Sequence, residues 1–119
     1  MNIDAVITHS CDRIPGLQHA ALVSIPDGFL LGATRGAKLL DLEPLIRAAV
    51  KCVSRDAALV EHVFAMRDQF VVIHAGRANT RLVLVATTSL EPNIAFVLAT
   101  SRAAMSEVEA AIDVADWEL

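Results

Sequence analysis

The sequence predicts an α+β fold in which an antiparallel sheet carries helices on both faces. Two hairpin-like stretches, residues 19–34 and 59–75, alternate with three segments whose apolar residues recur at helical spacing. Residues 82–85 are apolar without alternation, which is typical of a strand covered on both faces. The middle helix and the two terminal helices each need an apolar surface to cover, so both faces of the sheet are used.

Length and composition indicate one domain with an unusually large apolar content. The chain has 119 residues, and we expect a single domain over 1–119. Hydrophobic residues make up 55% of it, above the roughly 45–50% of ordinary globular chains. Either the core is large or some apolar surface is shared with another subunit.

Several classes of function are disfavoured by the same composition. A net charge of −4, with one Trp and no Tyr, argues against nucleic acid as a partner. Every apolar run falls short of the ~18 residues that cross a membrane, and residues 1–13 lack the pattern of a secretory signal. We therefore expect a cytoplasmic protein that neither crosses a membrane nor binds nucleic acid.

The first helix is predicted over residues 3–13, and Pro15-Gly16 ends it. Its apolar residues lie near one side: Ile3, Val6, Ile7 and Ile14. A hairpin follows, with strands at 19–25 and 29–34. In its turn, Pro26 fixes φ and Gly28 can take a positive φ.

An amphipathic helix is predicted over residues 42–57, with Asp41 as its N-cap and Pro44 in its first turn. One face is apolar: Leu42, Ile46, Ala49 and Val53. Between this face and the polar face lies a flank of small and apolar groups on which a second helix could pack: Leu45, Ala48 and Cys52.

Three strands and a final helix complete the chain. The strands are predicted over 59–66, 70–75 and 81–88, with turns at 67–69 and 76–80. Asn93 is expected to cap the final helix, whose apolar stripe comprises Ile94, Val97, Leu98, Met105, Val108 and Ile112. Acidic residues in its last turns suggest fraying: Glu107, Glu109 and Asp113.

Motifs that invite a catalytic or cofactor interpretation fail on their spacing. In "GATRGAK", residues 32–38, Lys38 is followed by Leu rather than by the Ser or Thr of a phosphate loop. In "HSCD", residues 9–12, consecutive helical residues point about 100° apart and cannot converge as nucleophile and base. Cys11 and Cys52 share no metal-ligand spacing and are expected to be reduced. We expect no enzyme and no cofactor.

Two histidines could meet across the second hairpin. A turn at residues 67–69 would place His62 opposite His74 on one face. Two imidazoles fall short of the three or four protein ligands of a zinc site, so hydrogen-bonded sheet histidines are the favoured interpretation and no metal is expected.

A basic row runs along the middle helix at four-residue steps: Arg47, Lys51 and Arg55. Such a row is typical of a solvated helix face. It is also our candidate surface for binding a partner.

Two segments resemble the roadblock/dynein light chain domain family. "IPGLQHAALVSIPDGFLLGA", residues 14–33, resembles the family's opening helix end and first hairpin, and "NIAFVLATSRAAMSEV", residues 93–108, resembles its last helix. The resemblance implies a five-stranded antiparallel sheet of order 2-1-5-4-3, with the middle helix on one face and the terminal helices on the other.

The resemblance also implies an assembly and a class of function. Two copies, or this chain and a relative, would pair their third strands edge to edge and pack their middle helices side by side. That interface would use six residues: Leu45, Ala48, Cys52, Glu61, Val63 and Ala65. The resemblance implies that this chain is a non-catalytic scaffold or regulator. It also implies a small Ras-like GTPase as the partner.

A second hypothesis belongs to another class. Helix-flanked antiparallel sheets of this size also serve as small-molecule sensors or binding modules. That function would need a cavity with convergent polar groups, for which the candidates are His19, His62 and His74.

Overall fold

The structure is a computed structural model that describes residues 2–25, 27–55, 61–77 and 81–114, with the backbone alone at 39, 54, 55, 113 and 114. Within these residues, three helices and five strands follow the predicted order. The helices are α1 (Ile3–Cys11), α2 (Leu39–Arg55) and α3 (Ile94–Val114). The strands are β1 (Leu17–Ser24), β2 (Phe29–Ala33), β3 (Glu61–Ala65), β4 (Phe70–Ala75) and β5 (Leu82–Thr88).

The five strands form one antiparallel sheet of order β2-β1-β5-β4-β3, as the resemblance implies. All seven residues of β5 are buried, which explains why its sequence is apolar without alternation. β5 lies between β1 and β4, so β2 and β3 are the two edges of the sheet.

Apolar side chains pack on both faces of the sheet and form two cores. Leu22 and Leu84 are paired on neighbouring strands and point toward α1 and α3. Val23 and Val83 are also paired and point toward α2. All four are fully buried, and burying a side chain of this size stabilises the fold by about 1.5–3 kcal/mol.

α1 is capped by Asn2, whose Oδ1 accepts a hydrogen bond from the Ala5 N–H at 3.1 Å. Its predicted apolar face is confirmed, since Ile7 and Ile14 are buried and Ile3 and Val6 pack against the same core. The helix ends at Cys11, two residues before the predicted end, because the chain turns here toward Pro15-Gly16.

The first hairpin begins at Leu17 rather than at residue 19, because Leu17 pairs with Thr88 of β5. Gly28 has the predicted positive φ, at +75°, whereas Pro26 lies outside the described residues. Leu22 pairs with Gly32 and Val23 with Leu30. One residue of β2 between these pairs is therefore left over as a β-bulge.

α2 begins at Leu39, three residues before the predicted start. The N–H groups of Asp41 and Leu42 both donate to the Lys38 carbonyl, at 3.0 and 3.1 Å. Asp41 therefore lies in the first turn and is not the N-cap. Pro44 lies beyond that turn, inside the helix and exposed.

The predicted pairing of His62 with His74 is wrong. Ala65 pairs with Phe70, and the Met66 N–H donates to the Gln69 carbonyl at 2.8 Å, so Met66 lies opposite Gln69 and not opposite Phe70 as predicted. His74 consequently pairs with Glu61, and His62 pairs with Ile73. Because side chains alternate along a strand, this shift places the two histidines on opposite faces of the sheet.

α3 begins as predicted, with Asn93 as its cap. Asn93 Oδ1 accepts a hydrogen bond from the Ala95 N–H at 2.8 Å, and the predicted stripe packs against the core. Near its C-terminal end, Glu109 Oε1 accepts from the Arg77 N–H at 2.9 Å. Glu109 thereby stabilises the segment after β4, a contact that the acidic pattern does not predict.

Candidate interaction surface

The outer edge of β3 presents main-chain groups that the sheet does not use. The Met66 N–H donates to the Gln69 carbonyl, and hydrogen-bonded pairs alternate with non-bonded pairs in an antiparallel ladder. The N–H and C=O groups of Glu61, Val63 and Ala65 therefore point away from β4. The register of β3 runs through all five residues without a bulge. The structure thus places the three predicted edge residues on a regular edge strand whose outer side pairs with no other strand among the described residues.

Leu45 does not belong to the exposed flank of α2. It is 7% exposed and belongs to the core beneath α2, so it has little surface left for a second helix. Ala48 and Cys52 are half-buried. Cys52 and Phe64 of β3 both pack against the core between α2 and the sheet.

Two apolar residues that the sequence analysis missed extend this flank. Leu40 is 83% exposed, and Pro44 follows it by one helical turn and is also exposed. Four-residue spacing was the signal that could have found them, because it continues to Ala48 and Cys52. We name the β3–α2 surface as the outer edge of β3 together with this flank: Glu61, Val63, Ala65, Leu40, Pro44, Ala48 and Cys52.

The basic row lies on α2 away from the sheet. Arg47 is exposed, and its Nη2 donates to Glu43 Oε1 at 2.7 Å, so its charge is already paired within the helix. Lys51 is exposed. Arg55 is the last residue of α2, and its side chain lies outside the described part of the chain. Lys51 therefore contributes the clearest positive charge of the three.

Glu61 of β3 forms an ion pair with Arg102 of α3. The Arg102 guanidinium donates to both carboxylate oxygens of Glu61, at distances from 2.9 to 3.1 Å. The same carboxylate lies 3.7 Å from Nδ1 of His74, which is 2% exposed. Burial lowers the pKa of His74; the Glu61 carboxylate opposes this shift and the Arg102 charge adds to it. The imidazole is therefore neutral at neutral pH.

His74 should make the protein less stable in mild acid. Its pKa is lowered in the folded state, so below about pH 6.5 the unfolded chain binds more protons at this residue than the folded one. We expect the urea midpoint to fall as the pH drops from that value toward the lowered pKa, and the His74→Leu variant to show a flatter dependence. Exposed His9 provides the matched control variant, His9→Gln, in which a surface imidazole is removed and His74 is kept. Equal slopes in wild type and His74→Leu would contradict this assignment.

Comparison with known proteins identifies the fold. No family model and no curated protein matches the sequence. A Roadblock/LC7 domain from Streptomyces avermitilis superposes with a TM-score of 0.73 at 20% identity, over 90% of this chain and 98% of that one. The chain has the Roadblock/LC7 fold.

Two further structures agree. Myxococcus xanthus MglB gives a TM-score of 0.72 at 14% identity, over 94% of this chain and 95% of that one. An MglB structure with a tetrameric arrangement gives 0.65 at 14% identity, over 88% and 84%. At 14% identity, these two superpositions show that the fold is shared.

In this Roadblock/LC7 fold, the three candidate histidines of the small-molecule hypothesis do not converge. His19 lines a groove of about 540 Å³ beside the start of α2, together with Thr87 and Gln69. The ring of His62 lies 4.3 Å from that of Phe64, which packs against the core on the α2 face. His74 faces α3. The hypothesis therefore loses the shared polar site that it needs.

In this chain, the "HSCD" segment, residues 9–12, contains a buried and protonated thiol. Cys11 is fully buried, and burial together with the charge of Glu107 raises its pKa to about 12. Neither Cys11 nor Cys52 forms a disulfide. A thiol in this state is a poor nucleophile.

In the part of the chain that the structure describes, no group of three or more His, Cys, Asp or Glu residues could hold a metal ion. No helix in those same ranges has the length and apolar character needed to cross a membrane.

Proposed function

We propose that residues 1–119 act as one roadblock-like domain: a non-catalytic cytoplasmic homodimer that binds a small Ras-like GTPase as its regulator or scaffold. The observation that carries this proposal is the β3–α2 surface. It joins the edge strand of the sheet to an apolar helix flank on which Leu40 and Pro44 are exposed. The GTPase comes from the family resemblance in residues 14–33 and 93–108, together with the Roadblock/LC7 fold.

The dimer follows from what an open edge strand does. Unpaired N–H and C=O groups are a template for another strand, and a second copy of β3 offers the same groups in reverse direction. Pairing around a two-fold axis would use one patch on both subunits. The α2 flank would then meet its own copy, which would cover Leu40 and give the chain's apolar excess a buried place. The tetrameric arrangement of one MglB structure supports oligomer formation on this fold.

The partner site follows from the position of the basic row. Two α2 helices packed side by side would bring two such rows onto one face of the dimer. Partner electrostatics of this kind mainly raise the association rate and add specificity. Lys51 is the residue on which we expect binding to depend most, because Arg47 is already paired with Glu43.

Reversing the charges of this row should abolish capture of the GTPase. We expect wild-type protein to retrieve a Ras-like GTPase from its native lysate, identified by mass spectrometry, and the triple variant Arg47→Glu, Lys51→Glu, Arg55→Glu to retrieve it at least about tenfold less. The matched control is Arg13→Glu, an exposed charge reversal after α1. Equal capture by the triple variant would remove the row from the binding site, and retrieval of no GTPase by wild type would contradict the proposed partner.

A further inference from the structure

The two edge strands of the sheet, β2 and β3, differ in the regularity of their pairing. β3 is regular and its outer main-chain groups point away from the sheet, whereas β2 is interrupted by the bulge between its pairs with Leu22 and Val23. A bulge twists an edge strand away from pairing.

Side chains of α1 accept the hydrogen bonds that β2 would otherwise offer to another strand. The Thr34 N–H donates inward to the Ala20 carbonyl at 2.9 Å, so the N–H groups of Ala33 and Arg35 point outward. Asp4 Oδ1 accepts from the Ala33 N–H at 2.9 Å. Thr8 Oγ1 accepts from the Arg35 N–H at 3.1 Å. Two successive outward donors are therefore occupied by one helix.

Gly32 permits this approach of α1. A Cβ atom at this position would lie 2.5 Å from Ile3 Cγ2 and 2.9 Å from Ile7 Cδ1, closer than carbon atoms can pack. The first glycine of the "GATRGAK" segment, Gly32, is thus explained by the close packing of α1 on the edge strand β2. A larger residue here would have to displace the Ile3 and Ile7 side chains that pack on β2.

The hydrogen bonds to Asp4 and Thr8 occupy the outward donors of β2, but α1 does not fill the whole space beside this strand. An open groove of about 680 Å³ borders β2, and Asp4, Thr8 and Arg35 are among its lining residues. Phe29, at 66% exposed, stands on the same strand. A second strand would have room and apolar surface to pair here if the donors were released.

We propose that α1 guards the β2 edge, so that strand pairing between copies is confined to β3 and the assembly closes at two subunits. Its closure at two rests on the proposed β3 dimer. If α1 left the β2 edge, we expect that edge to pair with the β2 edge of another copy of this chain. Release of α1 would join dimers through β2 into longer assemblies, because each dimer carries two such edges.

The test compares two double variants by sedimentation velocity and by amide hydrogen exchange. Asp4→Ala with Thr8→Val removes both acceptors, whereas Asp4→Asn with Thr8→Ser keeps an oxygen at each position. We expect the first pair to form species larger than wild type and to exchange the Ala33 and Arg35 amides on the order of tenfold faster. The second pair should behave as wild type.

The outcomes separate this inference from the proposed dimer. Wild-type size and unchanged exchange in the acceptor-free variant would overturn the guard. A wild-type monomer whose acceptor-free variant becomes a dimer would support the guard and reject the β3 dimer. If the double variant fails to fold, Thr8→Val compared with Thr8→Ser decides the question in the same way, since it removes one hydroxyl at nearly constant volume.

Discussion

Replacing Ala65 with proline is expected to split the proposed dimer while leaving the monomer folded. The Ala65 N–H points away from β4 and its side chain is exposed, so the substitution removes no hydrogen bond within the subunit. In the dimer it removes one donor from each copy and puts a ring in the path of the partner strand. We expect about 3 kcal/mol of lost association energy, roughly a hundredfold in the dissociation constant.

Sedimentation equilibrium measures that change, and circular dichroism verifies the fold. Ala65→Val is the matched control, because it changes the side chain and keeps the N–H. A proline variant that dimerises as tightly as the valine variant would exclude β3 from the interface. Loss of the fold in the proline variant alone would show that this N–H serves the subunit itself.

Gly16→Ala is expected to cost much more stability than Gly36→Ala. Both glycines have positive φ, at +68° and +85°, and an alanine in that region costs about 1–2 kcal/mol. A Cβ at Gly16 would also lie 2.7 Å from both Pro92 Cγ and Ser89 Oγ, whereas one at Gly36 meets no described atom within 4 Å. Crowding of this kind adds roughly 1–3 kcal/mol.

Urea unfolding of the two variants isolates the packing contribution. The conformational penalty is common to both, so the difference in free energy of unfolding reports the contact of Gly16 with Ser89 and Pro92. Similar losses in the two variants would show that the segment before α3 moves aside. This contact joins the first segment of the family resemblance, residues 14–33, to the residues that immediately precede the second, residues 93–108.

Much of the fold could be predicted because the responsible signals are local. The Asn93 cap, the positive φ of Gly28 and the burial of β5 follow from short stretches of sequence. The element order then leaves few arrangements that cover every apolar face. The strand order itself came from the family resemblance and not from these patterns.

The failures have tertiary causes. β1 begins early because Leu17 finds a partner in β5, and α2 begins early because the Lys38 carbonyl accepts its first hydrogen bonds. The register of β3 with β4 depends on whether Met66 lies opposite Gln69 or Phe70, which no propensity distinguishes. That shift of one residue places His62 on the face opposite His74.

The candidate site was predicted in part. The edge residues Glu61, Val63 and Ala65 could be named because the resemblance implied which strand is at the edge. Leu45 was assigned to the flank although helix geometry directs it into the core. The contact of Glu61 with Arg102 joins residues 41 positions apart, and no local pattern reports such a pair.

The central claim is that β3 of one subunit pairs with β3 of another, and hydrogen exchange at the outward N–H groups of Val63 and Ala65 tests it most directly. These amides gain a partner only in the dimer, so we predict slow exchange in concentrated protein and faster exchange on dilution. The amides of β5 should stay protected throughout as the internal reference. Fast exchange at Val63 and Ala65 in a sample that sedimentation shows to be dimeric would contradict the account.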